Sequence, residues 1–152
     1  DSNTASSKIE IDGNIVKGGP GISSFEKVYG TLNLKDNRHG TIIWKLQVVD
    51  VKWKSIGAYA YIGVGKYNYC GYSGNHVARG SRSYEDIRNR RMGAIAYGGH
   101  LKIGDLIEVC LDLEKLQISF IINHEDLGVA YSNVYIKSQT DIKLCVSLRY
   151  PE

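Results

Sequence analysis

Apolar and polar residues alternate with a period of two in short segments along most of the chain, and this alternation limits the fold more than any other feature. Six segments show it: 28–34, 42–48, 58–64, 107–113, 116–122 and 142–150. Because successive side chains of a β-strand point to opposite faces, each segment can cover one side of a hydrophobic core. Glycines punctuate the segments about every ten residues, where turns are expected. The pattern predicts an all-β sandwich or barrel of antiparallel strands, with little helix and no βαβ units.

The connections between these segments differ in regularity. Glu114-Lys115 separates two strongly alternating segments and predicts a tight hairpin turn. Residues 65–92 are rich in Tyr, Gly, Ser, Asn and Arg and are expected to form long loops, or one short helical turn over residues 83–89. No internal repeat or linker divides the sequence.

Length and hydropathy predict one domain without a membrane anchor. The 152 residues suffice to bury a single core without disulfide bonds. Residues 1–8 are expected to be a polar leader, disordered or foreign to the domain, and residues 9–152 to form a single domain. No apolar run approaches the ~18 residues that span a bilayer, and the polar start lacks the apolar core of a signal peptide.

Net charge and cysteine content bear on the partner and the compartment. The formal net charge of +3 gives little attraction for phosphate backbones, so nucleic acid is not an expected partner. Cys70, Cys110 and Cys145 are odd in number, widely spaced and set among apolar or aromatic residues. They are interpreted as reduced, buried thiols, which predicts a reducing, cytoplasmic environment.

Three carboxylates on one predicted strand face are the best candidates for catalysis. Glu108, Asp112 and Glu114 share parity, and residues two apart in a strand lie about 6.5 to 7 Å apart along the chain. Asp112 and Glu114 are thus near a separation that glycoside hydrolysis uses, while Glu108 lies about 13 Å further along, a spacing that fits a retaining pair poorly. We interpret Glu114 as a turn residue and the other two as solvated outer-face residues, and expect no enzyme.

The spacing of the histidines and arginines does not indicate a metal site or a phosphate-binding site. His39, His76, His100 and His124 each adjoin Gly or Asn and show no metal-ligand spacing, so no metal site is expected. The arginines between residues 79 and 91 form a local basic cluster that is interpreted as a solvated loop, with phosphate or acidic-peptide binding as the alternative.

The high tyrosine content is the most unusual feature of the composition, with eleven Tyr against two Phe and two Trp. Tyrosine offers a large apolar surface and a hydrogen-bonding tip at low cost in rotamer entropy, which suits recognition surfaces. Tyr67, Tyr69 and Tyr72 lie among Gly and Asn and are candidates for recognition, whereas Tyr59 and Tyr61 are expected to cover one face of a strand.

A series of short motifs fills the last third of the chain in a fixed order. They are Tyr97-Gly98, Gly104-Asp105, Leu111-Asp112-Leu113, Ser119-Phe120, Asn123, Leu127-Gly128-Val129-Ala130 and Val146-Ser147-Leu148. This order and spacing resembles the SPRY family, and looser likenesses at 44–48 and 62–65 extend the resemblance to about residues 25–150. Glu108 and Tyr131 depart from family Gly and Phe. His124 replaces the Gly of the family's Asn-Gly turn, which predicts a longer turn through Glu125-Asp126.

The resemblance implies two antiparallel sheets packed face to face in a lectin-like (concanavalin-like) jelly roll of SPRY type. It also implies a non-catalytic module, without a cofactor, that binds a peptide or folded protein through loops at one edge of the sandwich. Such modules commonly lie within larger proteins such as ubiquitin-ligase receptors or scaffolds.

The family's binding face falls on residues 17–24, 66–72 and 148–150 of this chain. The partner-binding residues it implies are Lys17, Pro20, Ile22, Tyr67, Tyr69, Tyr72, Arg149 and Tyr150. Arg149 would pair with an acidic group of the partner, and Tyr150 would form an apolar floor or, by its parity with Leu148, belong to the core.

Two other function classes remain open: a lectin-like carbohydrate-binding domain and a jelly-roll glycoside hydrolase. A monomer is favoured, although edge strands can support weak dimerisation.

Overall fold

The computed structural model describes residues 9–18, 26–30, 39–50, 60–64, 70–72, 76–79, 93–132 and 143–148. Twelve strands form within these residues, and none of the described residues is helical. Their bounds are β1 Ile9–Asp12, β2 Ile15–Gly18, β3 Glu26–Tyr29, β4 Thr41–Gln47, β5 Ala60–Val64, β6 Cys70–Tyr72, β7 His76–Arg79, β8 Gly93–Ala96, β9 Leu106–Asp112, β10 Gln117–Ile122, β11 Glu125–Tyr131 and β12 Leu144–Leu148. The predicted all-β class is confirmed.

The strands form three sheets in which every pairing is antiparallel. A four-stranded sheet has the order β11-β10-β9-β4, and a six-stranded sheet has the order β3-β12-β5-β6-β7-β8. A separate hairpin joins β1 to β2. No helix among the described residues is long and apolar enough to cross a membrane.

The hydrophobic core lies between the two large sheets. Val109, Leu111 and Phe120 of the four-stranded sheet are fully buried, and they share one cluster with Ile62 and Val64 of the six-stranded sheet. Burying a side chain of this size contributes about 1.5–3 kcal/mol each. The two sheets therefore pack face to face, and this packing forms the predicted sandwich.

Strands β4 and β9 follow the predicted alternation closely. Every second residue of β4 is half-buried, from Ile42 to Leu46, and the residues between are exposed. In β9, Ile107, Val109 and Leu111 are at most 1% exposed. A period of two in the sequence thus becomes one face on the core and one face away from it.

The hairpin between β9 and β10 is confirmed, but its turn is longer than Glu114-Lys115. Asp112 pairs with Gln117, which leaves residues 113–116 in the connection. The Asp112 carboxylate accepts hydrogen bonds from the backbone N–H groups of Glu114 (3.0 Å) and Lys115 (2.9 Å). Leu116 has a φ of 52° and is 38% exposed. Its predicted place in the strand is wrong, because a positive φ breaks the extended backbone.

The turn between β10 and β11 keeps two residues although it lacks glycine. Ile122 pairs with Glu125, so Asn123 and His124 alone form the connection, with φ of 49° and 69°. Two consecutive positive φ values are the geometry of a type I′ turn, which matches the twist of the flanking strands. The predicted longer turn through Glu125-Asp126 is wrong.

The stretch 65–92 contains strands where only loops or a helical turn were expected. β6 pairs with β5, and β7 pairs with β8. The sequence pattern misses them because three- and four-residue strands are too short to show alternation. Residues 83–89 lie outside the described residues.

Strand β12 lies inside the six-stranded sheet and contacts the core through one of its faces. Leu144 pairs with Val64 and packs against the core cluster, while Cys145 pairs with Gly63 on the other face and is fully buried. The strand predicted at the C-terminal end of the chain is therefore present as an interior strand, with β3 and β5 on its two sides.

Candidate functional site

Two of the eight predicted partner-binding residues lie among the described residues. Lys17 is in β2, exposed, with its Nζ 3.7 Å from the Asp12 carboxylate. Tyr72 is the last residue of β6 and pairs with Ile62 and Val77. The remaining residues, Pro20, Ile22, Tyr67, Tyr69, Arg149 and Tyr150, lie outside the described residues.

Two strand ends that flank the predicted face lie side by side. Glu26, the first residue of β3, pairs with Leu148, the last residue of β12. Leu148 also pairs with Ala60, the first residue of β5. The chain thus enters β3 and leaves β12 at the same edge of the six-stranded sheet. Residues 17–24 precede this point, and residues 149–150 follow it.

The strand ends that flank Tyr67 and Tyr69 lie at the opposite end of β5. Val64 pairs with Leu144 on one side and Cys70 on the other. Val64 and Ala60 are four residues apart, which corresponds to about 13 Å along a strand. Residues 66–71 are therefore flanked by a different end of the sheet from residues 17–24 and 149–150, whereas Tyr72 pairs near the middle of β5.

The carboxylates considered for catalysis are engaged in structural contacts. Glu108 Oε1 lies 3.1 Å from Lys45 Nζ, and Asp112 holds the β9–β10 turn. Glu108 and Asp112 are about 13 Å apart along β9, beyond the separation that a glycosidase pair uses. Glu114 lies in the turn and is exposed, as interpreted from the sequence. Among the described residues, no group of three or more His, Cys, Asp or Glu can hold a metal ion.

Tyr97 connects two of the sequence motifs that carry the family resemblance. Its hydroxyl donates a hydrogen bond to the carbonyl oxygen of Gly128 (2.6 Å) and accepts one from the backbone N–H of Phe120 (3.3 Å). Its ring meets the Phe120 ring edge-on, with centroids 6.0 Å apart. The register of β10 and β11 is irregular here, and Gly128 has a φ of 82°. Tyr97 thus satisfies backbone groups that the β-bulge leaves outside the ladder.

Asn123 connects two further motifs. Its side-chain amide donates to Asp105 Oδ1 (2.8 Å), and its Oδ1 accepts from the backbone N–H of Leu106 (2.9 Å). Asp105 also accepts the N–H of Lys102 (2.7 Å) through its other oxygen. The Gly104-Asp105 turn and the Asn123 turn are therefore one hydrogen-bonded unit. The sequence reasoning found both motifs but missed this contact, since spacing alone does not pair them.

Cys110 and Cys145 are buried thiols, as interpreted from the sequence. Burial raises the pKa of the Cys110 thiol, and the carboxylates of Glu108 and Asp126 raise it further, while a hydrogen bond with Ser119 lowers it. The raised pKa keeps Cys110 protonated at neutral pH, and a protonated thiol is a poor nucleophile. The side chain of Cys70 is not among those described.

The hydrogen bonds of Tyr97 and Asn123 connect the motifs between residues 97 and 131 in space. Comparison with known families shows which family these motifs belong to. The family model of the SPRY domain matches residues 43–151. This chain belongs to the SPRY domain family. The match confirms the family resemblance that the motifs indicated. SPRY domains are generally protein–protein interaction modules.

A solved structure agrees with this assignment at the level of the fold. The crystal structure of the SPRY domain of human HERC1 matches with a TM-score of 0.61 and 18% sequence identity, over 100% of this chain and 91% of that chain. At this identity the likeness shows the fold alone, a concanavalin-like sandwich of antiparallel sheets. Comparison with curated proteins finds no match.

Proposed function

We propose that this SPRY domain binds a peptide or a folded protein through a face at the edge where β3 begins and β12 ends. Lys17, Pro20, Ile22, Arg149 and Tyr150 form its centre, and Tyr72 extends it. Tyr67 and Tyr69 contribute from the segment between β5 and β6. The domain acts without catalysis and without a cofactor, as a monomer, within a larger protein such as a ubiquitin-ligase receptor or scaffold.

The pairing of Glu26 with Leu148 carries this proposal. It joins the chain segment that follows Lys17 to the segment that contains Arg149 and Tyr150, although more than a hundred residues separate them in the sequence. Loops held by a rigid sheet are the usual site of recognition, because the sheet fixes their ends while their side chains remain accessible. The same pairing ties both loops to the interior strand β12.

The chemistry of the face favours an acidic partner with an apolar anchor. Lys17 and Arg149 supply two cations, and an arginine can bind a carboxylate through two parallel hydrogen bonds. The contact of Lys17 with Asp12 is exposed on both sides, at 52% and 78%. An exposed ion pair is worth about 0–1 kcal/mol at most, so a partner carboxylate can replace it at little cost. Ile22 and Tyr150 would pack against an apolar side chain of the partner.

The cysteines support a reducing, intracellular location. Cys110 and Cys145 are buried thiols in separate sheets. Free buried thiols behave as small apolar residues and persist where disulfides are kept reduced.

The test is a quantitative pull-down from lysate of the source cells. The wild-type domain is compared with an Arg149→Ala/Tyr150→Ala variant whose melting curve shows that it is folded. Loss of interface anchors of this type costs roughly 2 kcal/mol or more, so enrichment of the bound protein should fall at least about 30-fold.

Two further variants make the result decisive. Arg149→Glu alone tests the face if the double variant does not fold, because reversing one charge leaves the apolar packing in place. Lys115→Ala/Leu116→Ala removes a cation and an apolar side chain from the β9–β10 turn and should leave enrichment unchanged. A protein captured equally by all folded variants would contradict the proposed face, and capture of none by the wild type would contradict the function.

A further inference from the structure

A row of aligned side chains crosses the side of the four-stranded sheet that faces away from the core. Ile43 of β4 pairs with Cys110 of β9, and Cys110 pairs with Ser119 of β10. Ser119 in turn pairs with Val129 of β11. Paired residues of neighbouring strands point to the same side, and the strands lie about 4.8 Å apart. The row therefore spans about 14 Å, with an apolar residue at each end. We call this surface, with Leu106 and Glu108 of β9, the outer face.

Three apolar side chains of the outer face are open to solvent, whereas Cys110 between them is buried. Ile43 is 50% exposed, Leu106 is 43% exposed and Val129 is 54% exposed. A depression of about 70 Å³ lies beside Leu106 and is also bordered by Lys45, Glu108 and His124. Single exposed apolar residues are ordinary, but several that share one sheet face next to a depression mark an interaction surface.

Acidic groups flank this apolar row on both sides. Along β9, Glu108 lies two residues before Cys110 and Asp112 two residues after it, each about 6.8 Å away on the same face. The carboxylate of Asp126 belongs to the Glu108 side, because Ile121 pairs with both Glu108 and Asp126.

The charge of the four-stranded sheet differs in sign from that of the rest of the chain. β4 and residues 105–131 contain six Asp and Glu and two Lys, a formal charge of −4, whereas the whole chain carries +3. The remaining residues therefore carry +7. On the outer face itself, Glu108, Asp112 and Asp126 lie with Lys45, which gives a formal charge of −2. Complementary charge selects partners and speeds their association, so this face favours cations.

We propose that the outer face binds a basic amphipathic helix of a partner protein. An apolar stripe about 14 Å long corresponds to two to three helical turns, which matches the row from Ile43 to Val129. Lys45 lies on the same face and already pairs with Glu108 (3.1 Å). Lysine and arginine on either side of the stripe would therefore face Asp112 on one flank and Asp126 on the other. This surface is separate from the face at β3 and β12, so one domain can hold two partner segments at once.

The test uses a synthetic 14-residue helical peptide of leucine and lysine as the probe, titrated into the nitrogen-15-labelled wild-type chain. Saturable chemical-shift changes are expected at Ile43, Cys110, Ser119 and Val129, and they should weaken with added salt. The Ile43→Thr/Val129→Thr variant keeps β-branched residues in both strands and should raise the Kd about tenfold, since it removes the exposed apolar ends of the row.

Matched controls separate this site from general attraction of a cation. Ile15→Thr replaces another exposed isoleucine, in β2, and should leave the Kd unchanged. A peptide with glutamate in place of lysine should not bind. Equal Kd values for wild type and Ile43→Thr/Val129→Thr, or shifts away from the row, would overturn the proposal. Shifts of the row on concentrating the protein alone would assign the face to a second copy of the chain and overturn it as well.

Discussion

His124 occupies a turn position whose backbone conformation favours glycine. Its φ of 69° lies in the left-handed region, where glycine is free of the Cβ strain that other residues carry. Asn123 before it also has a positive φ, but its side chain makes two hydrogen bonds that hold the turn against β9. Asn123 and His124 therefore have different roles although their φ values are similar. Asn123 holds the turn through its side chain, whereas His124 only adopts the φ that the turn requires.

Replacing His124 with glycine should stabilise the domain. His124→Gly restores the Asn-Gly pair that type I′ turns prefer and relieves backbone strain, so the free energy of unfolding should rise by about 0.5 kcal/mol. Urea denaturation measures this change. Asn123→Gly is the matched control at the adjacent positive φ, and it should lower stability by about 1 kcal/mol because it removes the two side-chain hydrogen bonds to Asp105 and Leu106. A loss of stability in His124→Gly would show that the His124 side chain makes a contribution that the turn geometry does not explain.

At the scale of elements, the β9–β10–β11 meander depends on polar contacts as much as on the core. Its two turns are held by Asp112 and by Asn123, and its bulge is held by Tyr97. These side chains satisfy backbone groups at the places where the ladder of strand hydrogen bonds is interrupted. The hydrophobic residues fix which face is buried, and the polar residues fix where each strand ends.

The bulge contact can be tested without disturbing the core. Tyr97→Phe keeps the ring against Phe120 but removes the hydroxyl and its two hydrogen bonds, with the Gly128 carbonyl and the Phe120 N–H. The free energy of unfolding should fall by about 1–3 kcal/mol. Gly128→Ala tests the same bulge from the other strand. A Cβ at Gly128 meets no atom within 4 Å, so its expected loss of about 1–2 kcal/mol would come from the φ of 82° alone. A Tyr97→Phe variant as stable as wild type would contradict the role of the hydroxyl.

Strand positions were predictable from the sequence where one face of a strand is buried and the strand is long. β4 and β9 were found because Ile42 to Val48 and Ile107 to Leu113 alternate over seven residues. Leu116 was misplaced, because its apolar character continues the pattern through a turn that its positive φ defines. β6 and β7 were missed because their pairing, and not their composition, makes them strands.

For the whole molecule, the sequence motifs predicted the family and the sandwich, whereas the binding face stays a prediction. Motifs at 97–98, 104–105 and 123–128 carry the family because they hold the meander together, and structural contacts of this kind leave a readable pattern. A binding face depends instead on which strand ends meet in space. Nothing in the local sequence says that Glu26 lies beside Leu148, or that Val64 is at the opposite end of β5 from Ala60.

Site-specific photocrosslinking tests the central claim of a binding face at the β3–β12 edge most directly. A photoreactive amino acid replaces Ile22 in one protein and Lys115, on the exposed β9–β10 turn, in another, and both are irradiated in source-cell lysate. We expect one discrete crosslinked protein from position 22, lost on adding Arg149→Glu, and none of the same mass from position 115. Crosslinking of that protein from position 115 but not from position 22 would contradict the proposed face.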